Sequence, residues 1–165
     1  MTSHDLFATM SRELAGEILE FAFTADKALY RAALEAAAQS RKVRPVFLER
    51  QPRAERHATM AATLARPTLE AAADNLIRGW LIKKHPDMLA DFLTALGIPH
   101  EKGVVEDLPK FADDALLRQA VSGLLGKYPP ETVTLYLHAF NQMNHAQWPN
   151  LEELLYTQSN LKLGK

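Results

Sequence analysis

Between its prolines this chain places apolar residues three or four positions apart, again and again, which is the spacing of one face of an α-helix and not the alternation of a half-buried strand. The clearest stripe runs over 68–84, where Leu69, Ala72, Ala73, Leu76, Ile77, Trp80 and Leu81 keep step. Residues 4–22 carry another, with Leu6, Phe7, Met10, Leu14, Ile18 and Phe21 on one arc and Glu13, Glu17 and Glu20 on a second. Composition agrees: Ala and Leu each occur 25 times in 165 residues, against only 10 Val and Ile together. Strong helix formers thus far outnumber the β-branched residues that pack a pleated surface.

The expected fold is therefore all-α, a compact bundle of seven to eight short helices. Ser3 is a candidate N-cap for the first, and Thr24 for a second over 25–40 whose seam is Ala25, Ala28, Leu29, Ala32, Ala33 and Ala36. Pro45, Pro52 and Pro67 punctuate the next stretch into short helical pieces near 45–50 and 53–65. Pro86 opens a helix ending at Gly97. Asp113 caps one over 114–126, Pro129 and Pro130 start one running to about 144, and Pro149 begins the last. Residues 97–111 hold two Gly and two Pro without helical period, and Val104, Val105 and Leu108 are expected to pack this loop onto the core. One all-helical domain over 1–165 is expected, with a subdivision into N-terminal helices (1–66) and paired helical hairpins (67–157) as the alternative.

A shift of 44 residues sets Ala71–Gly97 against Ala115–Asn141 with 7 identities in 27 positions, including Gly79 with Gly123 and Pro86 with Pro130. Each copy reads as a helix, a proline-started turn and a second helix. In length and layout this resembles HEAT and armadillo repeats, which implies a duplicated hairpin with solenoid-like packing but carries no function with it.

Several chemistries are excluded. There is no cysteine, hence no disulfide, thiol nucleophile or Cys-ligated metal. No stretch approaches the roughly 18 apolar residues of a membrane span. The N-terminus lacks a basic segment followed by an apolar run, so a cytoplasmic location and no membrane association are expected. No Glu is followed by His at the third position, as a helical di-iron site needs, and the phosphate-loop, zinc-protease, nucleophile-elbow and dinucleotide patterns are missing. No cofactor is expected, and no catalytic constellation.

Two features stand out as candidate sites. On a helical wheel Thr134, His138, Asn141 and His145 share a polar stripe with Glu131, which reads first as a solvated face and second as a ligand or metal site together with loop 97–111. The segment 41–57 is basic, and Arg44, Arg50, Arg53 and Arg56 are candidate phosphate contacts, though only Phe47 offers a nearby aromatic for stacking and the prolines break any single recognition helix. Residues 1–84 carry a net charge of +3 and 85–165 one of −4, so pairing of these arginines with the acidic half, within the chain or in a homo-oligomer, is the simpler expectation. The favoured function is a non-catalytic helical module that binds a partner protein. Nucleic acid is the alternative partner, and a small-molecule or metal ligand the third.

Overall fold

The computed structural model describes residues 1–143 and 147–164. Among them are ten α-helices, one 3₁₀ turn and no strand. They are α1 (Ser3–Thr9), α2 (Arg12–Ala25), α3 (Lys27–Ser40), α4 (Pro45–Glu49), α5 (Arg53–Leu64), the turn Pro67–Leu69, α6 (Glu70–Lys84), α7 (Pro86–Ala95), α8 (Asp114–Lys127), α9 (Pro130–Met143) and α10 (Pro149–Thr157). None of the described helices is long and apolar enough to cross a membrane. The chain divides into two compact units, Met1–Trp80 and Leu81–Leu163, and the division falls within α6.

Ten helices exceed the expected seven to eight, and the stretch 4–22 shows one reason. It is two helices, not one, because the backbone turns extended at Met10 and Ser11 and the Ser11 hydroxyl accepts from the Leu14 amide at 3.1 Å. The apolar period survives this break, so it gave no sign of it. The α1 cap is Thr2, paired with Asp5 in a reciprocal capping box, and Ser3 is instead the buried first residue of the helix. The free amides of Ser3 and His4 donate to the Glu70 carboxylate at 2.8 Å each, a cap supplied from 66 and 67 residues away. At the next junction Asp26 caps α3, while Thr24 remains in α2 and returns its hydroxyl to the Glu20 carbonyl.

In the first unit α5 packs on α1, α2, α3, α4 and the 3₁₀ turn, and α2 also lies on α3. The buried face of α3 is Tyr30, Ala33, Leu34, Ala37 and Ala38, rotated from the expected alanine seam, of which Ala25, Ala28 and Ala32 are exposed. In the second unit α8 packs on α7 and α9, and α9 on α10. Helix α9 is the most enclosed: every residue from Thr132 to Phe140 except His138 is buried.

The connection after α7 is not anchored by its valines. Val104 is exposed, and Val105 and Leu108 are half-buried. Its anchors are Ile98, buried behind a left-handed Gly97 (φ 70°), and Gly103 (φ 84°), where an added Cβ would fall 2.6 Å from the Leu89 Cβ. Further on, the Trp148 indole donates to the Pro109 carbonyl at 2.9 Å and the Asn150 amide to the Ala112 carbonyl at 2.9 Å.

Candidate functional site

The polar stripe of α9 is not a solvated face. Thr134 is fully buried and returns its hydroxyl to the Pro130 carbonyl at 2.7 Å. Asn141 accepts from the Trp148 amide at 2.7 Å through its side chain, and its own carbonyl accepts from the Gln147 amide, so both its oxygens serve the chain's turn into α10. His145 lies outside the described residues. Among the described residues no group of three or more His, Asp or Glu side chains is placed to hold a metal ion. Near loop 97–111 an open pocket of about 880 Å³ is lined by Ile82, Pro86, His100, Lys102, Val104 and Asp107 among others. His100 is occupied within it, accepting from the Gly103 amide on one ring nitrogen and bonding the Thr94 hydroxyl with the other.

His138 has a measurable consequence. Burial pulls its pKa down to about 4 from the usual 6.5. The unfolded chain therefore takes the proton first as pH falls. This group's contribution to stability is complete above about pH 6.5, is lost between 6.5 and about 4, and is constant below. His57 and His85, also held low by burial, act in the same direction. With 1.36 kcal/mol per pKa unit and a discount for partial exposure, His138→Gln should flatten the loss of stability between pH 7 and 4.5 by about 2 kcal/mol. Urea midpoints measured across that range check this, and an unchanged slope in the variant would refute it.

The basic segment splits into two groups. Arg56 is a structural strap: its guanidinium donates to the carbonyls of Leu48 (3.1 Å), Glu49 (3.1 Å) and Gln51 (3.2 Å), and to the Tyr30 hydroxyl at 3.2 Å. It thereby satisfies the carbonyl end of α4, a helix of five residues that is too short to persist by itself. Arg53 lies 3.4 Å from the Glu20 carboxylate and 4.8 Å over the Phe23 ring. The partners of these two arginines lie in the N-terminal half, not in the acidic C-terminal one. Arg44 and Arg50, at the two ends of α4, are exposed and make no ion pair among the described residues.

Around α4 an apolar surface accompanies those free cations. Only Leu48 of α4 is buried. Val43 and Val46 are exposed and Phe47 is 60% exposed. Lys42, in a left-handed conformation, stands at the start of the same segment. Glu49 is neutralised by Arg31, which also holds Glu35 at 2.8 Å. The resulting patch is Val43, Val46 and Phe47 flanked by Lys42, Arg44 and Arg50.

Behind α4 lies a buried polar relay. His57 sits on the inner stripe of α5 with Met60 and Leu64, and its Nε2 is 3.0 Å from the Tyr30 hydroxyl. Arg56 can only donate, so the Tyr30 oxygen accepts from it and the phenolic proton goes to Nε2. That arrangement suits a neutral imidazole with its proton on Nδ1, on the side of the Glu20 carboxylate at 3.8 Å. The ring is packed edge-on against Tyr30 and Phe23. His57 and Glu20 also border a groove of about 1030 Å³ walled mainly by small side chains, Ala15, Gly16, Ala58 and Ala62 among them. Glu20, Tyr30 and His57 lie on three different helices, so their spacing in the sequence does not mark them as a unit. The sign of the relay in the sequence is a histidine in helical register with Met60 and Leu64.

No protein-family model, curated protein or solved structure matches this chain.

Proposed function

We infer that the chain is a non-catalytic helical interaction module, and that the α4 surface docks a partner protein through a segment combining carboxylates with an apolar side chain or two. The observation that carries this reading is the exposed Val43–Val46–Phe47 patch with Lys42, Arg44 and Arg50 at its edge. Apolar patches bordered by charge, with an aromatic at the centre and arginines beside it, are what protein interfaces enrich. The patch is also held in place beforehand by the Arg56 strap, which lowers the ordering cost of binding.

The nucleic-acid alternative loses ground on the same geometry. Two of its four arginines, Arg53 and Arg56, are engaged internally. Arg44 and Arg50, with Lys42 beside them, leave three free cations, which imply a salt dependence of only about three phosphate contacts.

A peptide library displayed on phage and panned against the purified protein tests the reading. Enriched sequences should carry Asp or Glu beside aliphatic or aromatic residues, and should bind Phe47→Asp and Arg44→Glu/Arg50→Glu at least tenfold more weakly. Failure to enrich any acidic consensus, or tighter binding of a single-stranded oligonucleotide than of any selected peptide, would overturn it.

A further inference from the structure

We propose that His57 controls the α4 surface by protonation: the neutral ring lets Tyr30 help hold Arg56 on the end of α4, and the imidazolium loosens that hold. This regulation rests on the reading of α4 as the docking surface, but its mechanism stands on three contacts.

The first is the hydrogen bond between Tyr30 and His57 Nε2 at 3.0 Å. The second is the donation from Arg56 to the same hydroxyl at 3.2 Å. The third is the set of bonds from that guanidinium to the carbonyls of Leu48, Glu49 and Gln51. A phenol has one proton. With His57 neutral it points to Nε2, and the oxygen is open to Arg56. Once Nε2 carries a proton, donors face the hydroxyl from both sides and its own proton has no acceptor between them. The longer contact, to Arg56, gives way, and repulsion between imidazolium and guanidinium acts in the same sense.

The charges around the ring set the balance. From α2, Glu20 faces Nδ1 at 3.8 Å and favours the cation. Arg12 borders the same groove. From α5 itself Arg53 and Arg56 oppose it, and Arg53 partly neutralises Glu20 at 3.4 Å. From α3 comes Tyr30. The charged groups of α1 are committed elsewhere, His4 to Glu70 and Asp5 to Thr2, and Glu49 of α4 is held by Arg31. The 3₁₀ turn Pro67–Leu69 has no titratable side chain. Burial is the largest influence and lowers the His57 pKa, so protonation falls below pH 6.5.

Amide hydrogen exchange on the chain alone, with no partner present, tests the coupling. The probes are the amides of Phe47, Arg50 and Gln51, which close the turns of α4 on the carbonyls of Arg44, Val46 and Leu48. After correction for the intrinsic pH dependence, their protection should fall roughly tenfold as the His57 ring resonances titrate. His57→Gln stays neutral and should remove that response. Tyr30→Phe, a second and milder change, should leave protection low at every pH. A response that persists in His57→Gln, protection in the wild type that is unchanged while His57 titrates, or a ring that stays neutral down to pH 4.5 would each overturn the proposal. Failure to select a peptide at pH 7 would instead sink the docking reading and leave the exchange result standing.

Discussion

Replacing Arg56 by Leu should destabilise the first unit by about 2–4 kcal/mol, because the carbonyls of Leu48, Glu49 and Gln51 lose one shared donor while the apolar stem of the side chain is kept. Water recovers part of this at Glu49, which is exposed, but less at Leu48, which is buried. Arg56→Lys should recover less than half of the loss. A lysine ammonium preserves the charge, but it is a point donor and lacks the planar fork that reaches three carbonyls and the Tyr30 hydroxyl together. The control is Arg50→Ala, six positions earlier in the chain, exposed and without an ion pair among the described residues, which should change stability by less than about 0.5 kcal/mol. Urea unfolding of the three variants checks the ranking. If Arg50 costs as much as Arg56, the segment is held by its net charge and the strap has no special role.

That ranking separates residues which look alike in sequence. Arg44, Arg50, Arg53 and Arg56 form one basic cluster on paper, yet two are free and two are engaged with groups as distant as Glu20 and Tyr30. Local spacing carries no record of such contacts. The helices themselves were legible because each is written in a run of a few turns: Pro45, Pro86, Pro130 and Pro149 all open helices as their missing amide favours. Where a boundary depends on one hydroxyl, as at Ser11, the apolar period runs straight across it. The α9 stripe shows a different limit. A helical wheel places Thr134, His138 and Asn141 on one arc correctly but says nothing of what covers that arc, and threonine can enter a core by bonding its own helix.

The 44-residue correspondence can be viewed through the same lens. Both segments are helix, short link and proline-started helix, α6–α7 and α8–α9. The matched glycines differ in surroundings. A Cβ on Gly79 would meet the Leu29 side chain at 2.8 Å, whereas one on Gly123 would meet nothing within 4 Å. A shared packing need therefore does not account for this pair of glycines.

Trp148→Ala should be the most damaging single change in the second unit, at about 3–5 kcal/mol. The indole is fully buried, packs on Phe140 with ring centroids 5.2 Å apart, and donates to the Pro109 carbonyl at 2.9 Å. It thus joins the start of α10 to the loop that precedes α8, and the Trp148 amide binds Asn141 on α9 as well. Trp148→Phe keeps most of the apolar contact and removes the hydrogen bond, leaving the Pro109 carbonyl without its donor, and should cost about 1–2 kcal/mol. The two variants divide the loss between packing and loop anchoring. Each also leaves Trp80 as the sole tryptophan, and Trp80 belongs to the first unit. Indole fluorescence then follows the first unit, while far-ultraviolet circular dichroism follows both. Within each variant, a fluorescence midpoint at higher urea than the dichroism midpoint is expected if the second unit bears the damage. Equal and small shifts for Ala and Phe would mean that the site collapses around the vacancy and that Ile98, Gly103 and the bond from Asn150 to Ala112 suffice to hold the loop.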